Sequence, residues 1–195
     1  MEKVALTGAA FNVAAGSVVL RRPRLPFRSV NRRGKPGFLA SMQRHHLHPR
    51  QLLRKDCFGE FLFVLGQQRI GFDDFRANGL LLPASASAAL KSGLPLHRGP
   101  HRIYNELVAQ RVGQVEASWS KIRFRSPILA REEALMRLDL LQQALRRRLM
   151  DRNNGRLVLN RKDPFRLGID FTELDAMAET LWCATDASIR KGAGG

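Results

Sequence analysis

All five histidines of the 195-residue chain fall in two clusters, His45, His46 and His48, then His97 and His101. An imidazole can bind a divalent cation and can also carry a proton near neutral pH. Two tight groups about fifty residues apart therefore point to one site built from two elements. His97 and His101 lie four apart around Gly99-Pro100, which has the form of a helix start because proline suits the first helical position. On a helix, side chains at that spacing share a face and can reach one ion. His45 and His46 sit instead in a stretch expected to be extended, Ser41 to Leu47, closed by His48-Pro49. Adjacent residues of a strand point to opposite sides, so one of the pair can be a ligand while the other handles a proton. His48, two residues past His46, falls on the same side as His46 and is expected at the surface.

These residues need elements to hold them. Leu52, Leu53, Phe58, Phe61, Leu62 and Leu65 recur at helical spacing, predicting a short helix over 51–66, or two helical turns broken near Gly59. Residues 70–78 read as a turn-rich connection ending in Asn78-Gly79, a pair that favours a tight turn. Leu80-Leu81-Leu82 before Pro83 reads as a short strand. A helix is expected from Pro100 to Trp119. A second runs from Arg131 to Met150, with Ala134, Leu138, Leu141, Leu145 and Leu149 as its apolar stripe. Leu157 to Asn160 reads as a strand, and Thr172 with Asp175 resembles the cap of a last helix reaching about Thr185. Phe58, Phe61, Phe63, Tyr104 and Trp119 are assigned to the core. Arg146, Arg147 and Arg148 complement the helix dipole at a solvated end.

Composition narrows the partners. The chain carries 33 Lys and Arg against 17 Asp and Glu, a net +16, which suits a polyanion, either nucleic acid or an anionic membrane surface. Twelve of the basic residues lie in the first 55 positions, beside the single acid Glu2. Residues 21–37, RRPRLPFRSVNRRGKPG, hold three prolines, two glycines and seven basic residues without apolar periodicity, so they read as a linker that buries no face. The apolar stretch Val4 to Leu20 is interrupted by Asn12 and Gly16 and is short for a span, so it reads as a weakly structured leader. Cys57 and Cys183 are far apart with no CxxC pair, which excludes a disulfide scaffold or a Cys-ligated zinc and suggests two buried free thiols.

Three motifs occur in order: His45-His46-Leu47-His48-Pro49, Asn78-Gly79-Leu80-Leu81-Leu82-Pro83, and Leu94-Pro95-Leu96-His97-Arg98-Gly99-Pro100-His101-Arg102-Ile103-Tyr104-Asn105. Together they resemble the AHH nucleases of the HNH/endonuclease VII superfamily, over roughly residues 39–118. The resemblance implies an α+β fold with a small ββα-metal core, in which a His-bearing strand, a second strand and a helix surround one divalent cation. It makes His45, His97 and His101 the metal ligands, His46 the general base that activates water, and Asn78 a brace holding that base in place. Arg98 joins the catalytic set at the scissile phosphate, while Arg44 and Arg102 are assigned to nucleic-acid binding. The cation, Mg, Zn, Mn or Ni, would stabilise the pentavalent phosphate and the leaving oxygen. Two positions depart from the family pattern: the family's alanine is Arg44, and an apolar residue is replaced by His48, a rival to His46 for the proton.

The expected function is a metal-dependent endonuclease cleaving phosphodiester bonds of DNA, or of RNA, in three parts: a basic leader and linker (1–37), a nuclease core (38–119) and a mostly helical extension (120–195). By resemblance its setting is that of a bacterial toxin, cytoplasmic or delivered to a target cell, with an immunity protein as partner and no stable membrane insertion. One alternative is a nucleic-acid-binding protein whose histidines hold a structural metal. Another is a basic protein docking on anionic membranes, which leaves the histidines unexplained.

Overall fold

The computed structural model describes residues 23–99, 101–152, 157–159 and 162–165. The leader through residue 22 and the helix expected over 172–185 lie outside the described residues. Strand β1, Met42–His46, pairs antiparallel with β2, Gly79–Pro83, with Met42 opposite Pro83 and His46 opposite Gly79. Both strands fall where the apolar and histidine patterns put them. The expected break near Gly59 is present, between a 3-10 turn, Arg50–Leu53, and helix α1, Gly59–Leu65. A Cβ on Gly59 would come within 2.8 Å of the Arg54 carbonyl oxygen, so the chain turns tightly there.

The connection before β2 is more helical than expected. It holds α2, Gln67–Ile70, ended by left-handed Gly71, and α3, Phe75–Asn78, capped by Asp74, whose Oδ1 accepts the Arg76 N–H. Helix α4, Ala86–Ser92, follows β2; Ser85 Oγ accepts the Ala88 N–H and Gly93 closes it. Two long helices complete the fold, α5, Arg102–Ile122, and α6, Pro127–Met150, packed along one another. Proline at the start of α6 brings it one turn earlier than the periodicity gave. The stripe Ala134, Leu138, Leu141, Leu145 and Leu149 is buried against Val108, Val112 and Val115 of α5 in one core that runs from Leu47 to Leu159. Helix α5 runs through residue 119 without a break.

Several expectations need correction. Within the segment read as a linker, described residues 23–37 do dock on the core: Phe27 is buried, the Leu25 N–H donates to Asp74 Oδ1 and the Phe75 N–H to the Leu25 carbonyl. Aperiodic, proline-rich sequence can dock one ring without forming an element of its own. Cys57 is exposed, in the turn before α1, and Phe63 points outward from α1, whereas Phe61, Tyr104 and Trp119 are core. Leu157–Leu159 are buried as an apolar run but belong to no strand. Arg146 is not a solvated helix end: its guanidinium donates to the carbonyls of Arg76 and Ala77, tying α6 to α3, and Arg148 is buried.

Gly79 opens β2 against the Phe75 ring, which a Cβ would overlap. Gly79→Ala should therefore cost about 1–3 kcal/mol through overpacking, read as a lowered urea midpoint at unchanged m-value.

Candidate active site

The pleat of β1 sorts its residues between two environments. Gln43 and His45 lie on one face, Arg44 and His46 on the other, as period-two alternation requires. His45 is 3% exposed, and its ring stands edge-on to His97 at 5.0 Å and to His101 at 5.7 Å between centroids. His97 and His101 are 4.6 Å apart. One nitrogen from each of the three lies within 4.8 Å of the others. Tyr104 closes the back of the cluster, its ring 4.9 Å from His45 and its buried hydroxyl donating to the Leu47 carbonyl at 2.7 Å.

His97 and His101 meet for a reason other than helical spacing. Gly99 is left-handed at φ 80°, His101 is the cap residue at φ −104°, ψ 55°, and α5 begins only at Arg102. His97 thus comes from a loop, held by its N–H to the Pro83 carbonyl at 2.7 Å. The tautomers follow from their partners. His97 Nδ1 faces Gln43 Oε1 at 3.1 Å and His101 Nδ1 faces the Leu159 carbonyl at 3.2 Å. A carbonyl oxygen only accepts, so each Nδ1 carries a proton, which leaves Nε2 as the ligating nitrogen of the neutral ring. Burial is the first cause holding His45 well below its usual pKa and His97 at about 4, with the neighbouring imidazoles adding to it. This favours neutral His45 and His97, the form that ligates a cation. His45 Nε2 is buried with no hydrogen-bond partner among the described residues, an orphaned donor-acceptor atom that a cation would satisfy. The three histidines are positioned to bind a metal ion.

On the opposite face His46 is half-buried and stacks flat on Phe27, 3.8 Å between centroids and 2° between planes, with Phe75 edge-on to Phe27 at 5.2 Å. Arg44 donates to the Phe27 carbonyl at 2.7 Å, so the residue standing in place of the family's alanine fastens the segment that carries the stacking ring. His46 is lowered to about 4, first by burial and then by Arg50, with Asp73 opposing. Asn78 is fully buried: Oδ1 accepts the His48 N–H at 2.6 Å, Nδ2 donates to the His48 and Phe72 carbonyls, and Gln142 Nε2 donates to Oδ1. Arg98 and Arg102 are both exposed, flanking His97 and His101.

His48 departs from expectation. It is not on the surface: it is fully buried, tilted against Phe72 with ring centroids 5.9 Å apart, and it lies outside the three-histidine group. Sequence reasoning missed Phe27, Gln43, Leu159 and Asp163. Gln43 was within reach, since it shares the strand face of His45 two residues on. The others are far away in sequence and belong to no motif.

A family model matches residues 27–145, a wider span than the motifs cover: a nuclease family of the HNH/ENDO VII superfamily with conserved AHH. The chain belongs to this AHH nuclease family, and membership implies metal-dependent nuclease activity on a nucleic-acid substrate. No curated protein and no solved structure matches the chain. Among the described residues no helix is long and apolar enough to cross a membrane.

Burial lowers His48 from its usual 6.5 to about 3. The folded state then stays neutral where the unfolded state takes up a proton, so this contribution to stability is complete above about pH 6.5 and is lost as pH falls towards 3. His48→Leu should lose that dependence. Denaturant titrations of both metal-free proteins between pH 5.5 and 4 should differ in slope by about 1.4 kcal/mol per pH unit; equal slopes would contradict the burial of a neutral imidazole.

Proposed function

We propose that this protein is a metal-dependent endonuclease that hydrolyses phosphodiester bonds of DNA, with His46 as general base and His45, His97 and His101 holding one divalent cation. The observation that carries this is the division of β1: adjacent imidazoles face opposite ways, one into a cluster of three histidines and one beside it. Among the described residues the cluster has three members, and three protein ligands leave a coordination position open, as in catalytic sites, whereas a structural site is closed by four. A cation there would supply Lewis-acid stabilisation of the charge that develops on the phosphate.

The chain's own part is proton handling and placement. His46, kept neutral by burial, takes a proton from the attacking water as the new P–O bond forms. The P–O3′ bond breaks and the leaving 3′ oxygen takes a proton from solvent, giving a 5′-phosphate and a 3′-hydroxyl. A basicity near pH 4 makes His46 a weak base in the free protein, but an approaching phosphate is an opposite charge and raises it. Phe27 fixes the plane of the imidazole, so little reorganisation is needed when the water arrives. Asn78 acts as a positioning residue by holding Leu47 and His48, just past the two histidines. The buried position of His48 favours His46 over it as the base. Arg98 and Arg102, exposed beside the cluster, are suited to gripping phosphate oxygens. The basic residues before β1 add sequence-independent affinity that falls as salt rises. A role as a delivered toxin restrained by an immunity protein extends this reading and rests on the family alone.

Purified protein should nick supercoiled plasmid when supplied with Mg²⁺, Mn²⁺, Zn²⁺ or Ni²⁺, and chelator should stop it. His46→Ala should lower the rate by about 10²–10⁴-fold while binding metal as the wild type does. His97→Ala should lose both metal and activity. Tight metal binding with no cleavage under any of these ions would favour the structural-metal alternative, and full activity in His46→Ala would remove its role as base.

A further inference from the structure

The metal cluster is finished by a part of the chain that lies beyond the family match, which ends at residue 145. Leu157, Val158 and Leu159 are buried against the core, and the Leu159 carbonyl accepts from His101 Nδ1. A few residues on, Asp163 is 4% exposed. Its Oδ2 accepts the Leu96 N–H at 2.6 Å, and its Oδ1 accepts the Phe165 N–H at 2.9 Å. Leu96 is itself buried and precedes His97. With the Leu96 N–H held by Asp163 and the His97 N–H held by Pro83, the two peptide groups on either side of Leu96 are fixed, and with them the backbone that leads into His97. A buried carboxylate is costly unless its bonds are made, and both oxygens are used here, one by a backbone donor 67 residues away and one by a donor two residues on.

We propose that Asp163 is a positioning residue of the metal centre, and that Asp163 and Leu159 together set the orientation of His97 and His101. Asp163 fixes the loop that presents His97, while the Leu159 carbonyl fixes the tautomer and ring plane of His101. Groups that orient ligands in this way commonly change metal affinity by about 10–100-fold when removed. The inference rests on the three histidines being a metal centre and is independent of whether that centre cuts DNA.

The test is titration of Zn²⁺ and Co²⁺ into the metal-free full-length chain, comparing wild type, Asp163→Ala and Asp163→Asn. Calorimetry gives affinity, the visible spectrum of bound Co²⁺ reports ligand geometry, and thermal unfolding of the metal-free proteins reports folding. Asp163→Ala should bind about 10–100-fold more weakly, with altered Co²⁺ bands and a cooperative unfolding transition. Asp163→Asn, which can accept only one of the two N–H groups, should show a smaller loss in the same direction. If Asp163→Ala does not fold, Asp163→Asn decides in the same way. Wild-type affinity and spectrum in the folded variants would overturn the proposal, as would a wild-type chain that binds neither ion. A wild type that binds metal without nicking plasmid would instead fail the nuclease reading and leave this comparison intact.

Discussion

The structure depends on one buried carboxamide. Asn78 ends α3 and precedes β2, and its side chain makes hydrogen bonds to both backbone groups of His48, to the Phe72 carbonyl and to Gln142 of α6, while its own carbonyl accepts the Leu47 N–H. An amide in this position would be expensive if unpaired, because its desolvation is repaid only by bonds made inside the protein. With those bonds in place it pins the end of β1 to the start of β2 and both to the long helix behind them. Every distance in the histidine cluster inherits that constraint, since His45 and His46 are the last residues of the strand being pinned.

Given a fixed strand, the pleat does the chemical sorting. Gln43 and His45 face the cluster, and Gln43 orients His97. Arg44 and His46 face the N-terminal segment, where Arg44 binds the Phe27 carbonyl and His46 stacks on its ring. Burial keeps His45 and His46 neutral on opposite faces, so the two jobs proposed for them, holding a cation and accepting a proton, are separated by direction instead of by distance.

Local patterns carried the sequence a long way. The two strands, the break at Gly59 and the apolar stripe of α6 were legible because each depends on spacing within a dozen residues. The nearness of His97 to His101 was also correct, but its cause was not: a left-handed Gly99 and a non-helical His101 bring them together through a loop. Phe27 was invisible because a single docked ring leaves no periodicity, and proline-rich sequence around it looks like linker. Asp163 was invisible because its bond joins residues 67 apart in sequence, with both long helices lying between them in the chain. His48 looked like a surface residue by type, and only the fold shows that Phe72 and the core enclose it.

The alternation of β1 has a consequence for misfolded forms. A strand displaced by one residue against β2 would turn every side chain to the other face: His46 would enter the cluster, His45 would lie under Phe27, and Arg44 would bring its charge among the histidines. Such a form would keep the same residues and nearly the same sheet, yet it would lack a workable arrangement of donor and base. Gly79, with no room for a Cβ against Phe75, and the bonds of Asn78 to Leu47 and His48 are therefore safeguards of pairing. They discriminate one alignment from its near neighbours, which is a stricter demand than stability.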